Sequence, residues 1–305
     1  MKKPTSSSTS SSWHIWWRLL RPHTLTASFV PVSVGTVLSL SYGRLDWLLF
    51  FAMMVASILI QAATNMFNEY YDYKRGLDTA DSVGIGGAIV RDGIPPQKVF
   101  NLAIAFCIVA ILLGVYICQM TSWILALVGL VSIFIGYVYT GGPFPIAYTP
   151  FGELTAGIFM GNFIVLISFY IQTGTVTGKS VFVSIPLAIL IAGILLANNI
   201  RDRVGDQERG RKTLAIFLGH RGAVRLLTTL FLLAYSWTIL GIFLHFTSAW
   251  VLIVLLSLPK AVTAIKGFSD SSSPSKMMPA MQATAQTNTL YGLLLTIGLL
   301  VDFWL

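Results

Sequence analysis

Nine apolar runs divide this chain, and the polar residues collect between them. The runs cover about 24–42, 46–70, 97–119, 122–140, 151–171, 182–200, 223–245, 248–266 and 285–305. A helix needs roughly 20 apolar residues to cross the hydrocarbon core of a bilayer, and inside lipid it satisfies every backbone polar group internally. The pattern predicts an all-α polytopic membrane protein of nine transmembrane helices. Longer polar segments fall at 71–96, 201–222 and 267–284, with a Gly/Pro-rich one at 141–150; the other connections are a few residues long. Residues 1–12, MKKPTSSSTSSS, lack the apolar core and cleavage site of a signal peptide. Residues 1–15 are expected as a disordered tail and 16–305 as a single transmembrane domain, with Trp13, Trp16, Trp17, Arg18 and Arg21 as an interfacial anchor.

Composition strengthens this picture. Of 305 residues, 55% are hydrophobic and 10% charged, whereas a soluble domain carries about 25% charged residues. With a mean hydropathy of +0.76, the chain has too little polar surface for a water-soluble globule, a disordered chain or a secreted disulfide scaffold. Cys107 and Cys118 share one apolar run and suggest neither a disulfide nor a metal site. The net charge of +8 points to topology rather than to nucleic acid. With the N-terminus inside, only Arg44 and Lys179 of the 20 basic residues fall on the outer side, as the positive-inside bias requires. The expected location is the cytoplasmic membrane, with a cytoplasmic N-terminus and the lipid bilayer as a partner.

Acidic residues are concentrated. Eight of twelve lie in two inner segments: Glu69, Asp72, Asp78, Asp81 and Asp92 around the second run, and Asp202, Asp206 and Glu208 at the end of the sixth. Asn68 to Asp72 and Asn198 to Asp202 share a spacing of four, and each pair closes an even-numbered run, as in a weak internal repeat. That spacing puts Asn198, Asp202 and Asp206 on one helical stripe. Neighbouring carboxylates repel unless a cation lies between them, and an oxygen-rich site suits Mg²⁺. Asp78 is six residues from Asp72, so it joins only if the helix breaks at Gly76. The metal-ligating candidates are therefore Asn68, Asp72, Asp78, Asn198, Asp202 and Asp206. Two such cations would leave room for a diphosphate, met by Lys74, Arg75, Arg201, Arg209, Arg211 and Lys212. A metal-clamped diphosphate at a membrane mouth implies a substrate with a lipid tail.

On these residues the chain resembles the UbiA superfamily of intramembrane aromatic prenyltransferases, over about residues 16–305. The resemblance rests on the two Asp motifs and on Arg21-Pro-His-Thr-Leu-Thr-Ala27, Gly86-Gly-Ala-Ile-Val-Arg91, Tyr139-Thr-Gly-Gly-Pro143 through Phe151-Gly-Glu153, and Arg211-Lys-Thr-Leu214. Glu69 departs from the Asp expected there. The resemblance is greatest to the branch acting on 1,4-dihydroxy-2-naphthoate. It implies nine helices around a central cavity under cytoplasmic cap loops, Mg²⁺ dependence, and transfer of a chain from polyprenyl diphosphate to the naphthoate with loss of carbon dioxide, giving demethylmenaquinol.

The chemistry this implies is ionisation followed by aromatic substitution. Asp72, Asp78, Asp202 and Asp206 are the expected catalytic carboxylates, with Lys212 and Arg201 on the leaving diphosphate. An allylic cation is stabilised by an aromatic face; Tyr139 is the preferred one, ahead of Phe67, Tyr70, Tyr71 and Tyr137. Arg91 and Arg21 are further substrate-binding candidates, Arg91 for the aromatic carboxylate. Gln286 is expected to hydrogen-bond between helices. Two alternatives stay open: a related enzyme acting on 4-hydroxybenzoate, homogentisate or haem, and a cation-coupled transporter, whose coupling sites usually lie nearer the bilayer midplane.

Overall fold

Helices that are apolar on every face need neighbours or lipid all round, and the chain meets that need as a bundle. The computed structural model describes residues 12–43, 45–76, 87–271 and 273–305, and among them the regular structure is helical throughout. The helices are α1 (Ser12–Leu19), α2 (Pro22–Leu38), α3 (Trp47–Lys74), α4 (Pro96–Met120) and α5 (Ile124–Thr140). They continue as α6 (Gly152–Thr173), α7 (Gly178–Glu208), α8 (Leu214–Phe243), α9 (Ala249–Ser269) and α10 (Pro274–Trp304). Eight helices among the described residues are long and apolar enough to cross a membrane; α2 is one, extended by a tight turn to Tyr42. The remaining run, the fourth at 122–140, forms α5, whose 17 residues span about 26 Å, short of the roughly 30 Å core.

Close packing rests on small residues where helices cross. A Cβ on Gly161 of α6 would stand 2.4 Å from the Cα of Ala188 on α7, and one on Gly292 of α10 would stand 2.0 Å from Val30 of α2. Pro186 inside α7 has no N–H for the carbonyl four residues back. The Trp237 indole of α8 donates to that Phe182 carbonyl at 3.1 Å, restoring the bond and tying the two helices. Tyr291 of α10, fully buried, bonds the Thr238 hydroxyl of α8.

Two helices start earlier than the apolar runs suggest. α8 begins at Leu214 rather than near 223, because Gly219, at φ 65°, lets a short helix at the membrane edge turn into the span. α10 begins at Pro274 rather than near 285. Its polar residues turn inward: Thr284, Thr287 and Asn288 are buried, and the threonine hydroxyls bond the carbonyls four residues back. Gln286 is exposed instead, which removes the expected helix–helix hydrogen bond. The expected N-terminal tail lies outside the described residues as far as residue 11, and α1 already begins at Ser12.

Candidate active site

The motif residues ride on the last turns of α3 and α7, which extend beyond their apolar runs to Lys74 and Glu208. Asn68 and Asn198 both line one cavity, so the two helices end at the same face. Just past α7, Gly210 takes φ 80° and the Arg211 amide bonds the Asp206 carbonyl at 3.0 Å. This turn sends the Arg211 side chain back toward the helix ends. Its Nη2 lies 3.0 Å from Asp72 Oδ1, its Nη1 3.3 Å from Asp206 Oδ1, and its guanidinium stacks over the Tyr148 ring at 4.8 Å. The two motifs therefore converge on one point. Burial works against the Arg211 charge, but the Asp72 and Asp206 carboxylates outweigh it and raise its pKa above the ordinary arginine value.

Around that point the polar groups form a chain. With its amide turned to satisfy both neighbours, Asn68 donates to Asp72 Oδ2 at 3.0 Å and accepts from Arg21 Nη1 at 3.3 Å. Asp206 Oδ2 is buried with no hydrogen-bond partner. Asp202 is engaged differently: Arg201 donates to both of its oxygens, Nε at 2.7 Å and Nη2 at 2.5 Å. The Arg201 Nη1 meets the Met281 sulfur of α10 at 2.9 Å, so this arginine, expected on the diphosphate, is buried against α10. Arg75 also has a structural partner set, donating to the carbonyls of Thr140 at 2.5 Å and Gly142 at 2.8 Å between the Tyr71 and Tyr148 rings. Lys74, Arg209 and Lys212 are exposed at the same face. Arg91 is exposed and its stem lies over Gly87. Asp78 lies outside the described residues. Among the described residues, no three acidic, histidine or cysteine side chains gather into a complete metal site.

The cavity beneath measures about 410 Å³ and its wall is mostly apolar, with polar side chains such as Gln61, Asn65 and Asn198 set into it. On α3 its lining runs from Met53 to Asn68, a rise of about 22 Å, so it is a shaft along the bundle rather than a shallow cleft. Tyr139 lines it, whereas Phe67, Tyr70, Tyr71 and Tyr137 form a separate ring cluster with Phe100. Phe159 adds an aromatic face from the π-helical stretch Gly157–Asn162 of α6; such stretches widen a helix and recur at functional sites.

Three participants have no role assigned to them by the sequence motifs. Glu69, which departs from the Asp expected there, is fully buried and accepts two backbone hydrogen bonds. Glu153 is buried and accepts from Asn199 at 2.9 Å, bracing α6 against the second motif. An acidic residue opening an apolar run was the available signal. Tyr148, the platform for two arginines, carried no signal in its Gly/Pro-rich loop.

Residues 28–290 match the model of the UbiA prenyltransferase family. The chain is 57% identical over 300 residues to a Bacillus subtilis (strain 168) protein named 1,4-dihydroxy-2-naphthoate octaprenyltransferase, covering 98% of this chain and 96% of that one. Among solved structures it resembles a UbiA homologue from Aeropyrum pernix K1, with TM-score 0.71 at 15% identity over 93% of this chain and 98% of that one. It also resembles a UbiA homologue from Archaeoglobus fulgidus bound to GPP and Mg²⁺, with TM-score 0.60 at 18% identity over 92% and 99%. At these identities the structural likenesses speak for the fold. From the match of family model, sequence and fold, this chain is a member of the UbiA prenyltransferase family.

Proposed function

We propose that this protein transfers a polyprenyl group from polyprenyl diphosphate to 1,4-dihydroxy-2-naphthoate at the inner face of the cell membrane, giving demethylmenaquinol, carbon dioxide and diphosphate. The observation that carries this reading is the meeting of Asp72 and Asp206 over Arg211 at the mouth of an apolar shaft. An anionic head and a hydrocarbon tail are both accommodated there. The similarity to the naphthoate octaprenyltransferase of Bacillus subtilis supports the acceptor, and the basic residues around the motif face support a cytoplasmic orientation.

The donor set fits a hard divalent cation. Asp206 keeps a buried oxygen without a partner, and all the nearby donors are carboxylate or amide oxygens, the chemistry Mg²⁺ prefers. Asn68, Asp72, Asn198, Asp202 and Asp206 would hold it, with Asp78 from the adjoining segment. When bound, Mg²⁺ supplies charge stabilisation for the departing diphosphate. Arg211 moves its guanidinium from the carboxylates onto the phosphate oxygens, and Lys212 and Arg209 add charge from the rim. As the bond between the prenyl C1 and the diphosphate oxygen breaks, its electrons leave with diphosphate. Tyr139 and Phe159 present aromatic faces to the allylic cation, and the apolar wall keeps water from it. The ring then bonds to C1, and loss of the carboxylate as carbon dioxide returns its bonding electrons to the ring.

Two measurements test this. Purified protein with Mg²⁺, polyprenyl diphosphate and carboxyl-labelled naphthoate is expected to release the label as carbon dioxide in step with product. Label retained in the prenylated product contradicts the decarboxylative reaction. The shaft as tail seat is tested by Gly129→Trp, since Gly129 lines the cavity and has open space where its Cβ would stand. The indole is expected to cut turnover of a polyprenyl donor by about tenfold or more while sparing dimethylallyl diphosphate, a selectivity of the size that pocket filling produces. An equal effect on both donors removes the tail from the shaft.

A further inference from the structure

The grip on the elbow between α1 and α2 singles out a residue that the proposed mechanism does not use. Asn65, Asn68 and Glu69, at i, i+3 and i+4, form one face of α3. Asn65 donates to the Leu20 carbonyl and the Thr24 hydroxyl, both at 2.9 Å. Asn68 accepts from Arg21. Glu69, 0% exposed, divides its carboxylate: Oε1 accepts from the Gly87 and Ile89 amides at 2.9 and 3.2 Å, and Oε2, with no hydrogen bond, lies 3.9 Å from Arg21 Nη2. Arg21 itself stands at φ 52°, ψ 65°, a left-handed conformation that a non-glycine residue keeps only when its surroundings impose it.

Arg21 is the one charged side chain among the described residues that line the cavity. Its Nε is buried without a partner. The other cations held inside this mouth are engaged, Arg211 with Asp72 and Asp206, Arg75 with the loop carbonyls after α5 and Arg201 with Asp202, whereas Lys74, Arg209 and Lys212 lie exposed at its rim. Asn68 separates Arg21 from Asp72, so the mouth offers two anion seats side by side, and the carboxylate cluster claims the diphosphate. We propose that Glu69 is a positioning residue that holds Arg21 as the receptor for the carboxylate of the aromatic acceptor. The proposal rests on the prenyl-transfer reading above. The pinned turn keeps Glu69 in place: Ala88 and Ile89 are buried beside Leu19, Met66 and Phe67, so the carboxylate cannot follow Arg21 outward.

Glu69→Gln separates the two duties. Its carbonyl oxygen still serves the Gly87 and Ile89 amides, which forces its NH₂ toward the Arg21 guanidinium, donor against donor. The expected result is a KM for the aromatic acid raised about tenfold or more, with kcat and the KM for polyprenyl diphosphate within about threefold, the pattern of lost ground-state binding of one substrate. Hydrogen exchange at Gly87 and Ile89 stays as in the wild type in Glu69→Gln and quickens in Glu69→Ala. 1,4-Dihydroxynaphthalene, which has no carboxylate, is expected to be used equally by wild type and Glu69→Gln. An unchanged KM for the aromatic acid, a joint loss in kcat and both KM values, or the same penalty on the carboxylate-free acceptor overturns the proposal. Should the wild type refuse the naphthoate and accept another aromatic acid, the naphthoate reading fails, and the same KM comparison on that acid decides the role of Glu69. An acceptor without a carboxylate overturns both.

Discussion

Asp72→Asn and Asp206→Asn are each expected to lower kcat/KM by about a thousandfold or more, the scale on which losing an electrostatic anchor acts. The side chains keep their size and their place at the ends of α3 and α7, so circular dichroism and monodisperse elution in detergent should match the wild type. What changes is charge: Arg211 faces an amide on one side, and the oxygen set loses a carboxylate for a divalent cation. Because the two carboxylates act on one point, the double variant is expected to be little worse than either single one, as for residues that work as a unit. More than about a tenth of wild-type turnover in either single variant would separate that carboxylate from the reaction.

Gly161→Val carries the largest expected effect on the fold. A Cβ at position 161 would stand 2.4 Å from the Ala188 Cα and 2.6 Å from its amide nitrogen. Both are backbone atoms of α7, which cannot rotate aside. The valine must push α6 from α7, disturbing the π-helical stretch that faces the shaft. Overpacking costs about 1–3 kcal/mol and occasionally more, and a clash with backbone atoms that cannot give way belongs at the upper end of that range. Thermal unfolding in detergent should show a large drop or no recoverable protein, whereas Gly129→Trp, at a site with open space, should unfold near the wild-type temperature. A valine variant as stable as wild type would mean that α6 and α7 are not so closely apposed.

The helices were legible because lipid imposes a length and a composition on each span; the second run, expected at 46–70, is Trp47–Lys74. Their ends were less legible where polar residues enter the bundle. Thr284 and Thr287 satisfy themselves on their own backbone, so the start of α10 carries no apolar signal. The site was legible as far as spacing goes: repeated Asn-x₃-Asp put two carboxylate groups at the same face. Side-chain partnerships were not. Arg75 and Arg201 look in sequence like any other cations beside an acidic motif, and only the folded chain shows one spanning a loop and the other buried against Met281. Glu69 was passed over because its partners are the backbone of a turn 18 and 20 residues away. The transporter alternative is displaced by the family match over residues 28–290.

In the proposed mechanism the two motifs jointly hold a metal-bound diphosphate above an apolar shaft. Its most direct test is the binding of an unreactive prenyl thiodiphosphate to the purified protein, with Mg²⁺ and with EDTA. Affinity is expected to be weaker by about a hundredfold or more in EDTA, a difference of about 2.7 kcal/mol. Asp72→Asn and Asp206→Asn should each abolish that dependence on the metal. Equal affinity with and without Mg²⁺, or full metal dependence in either variant, would contradict it.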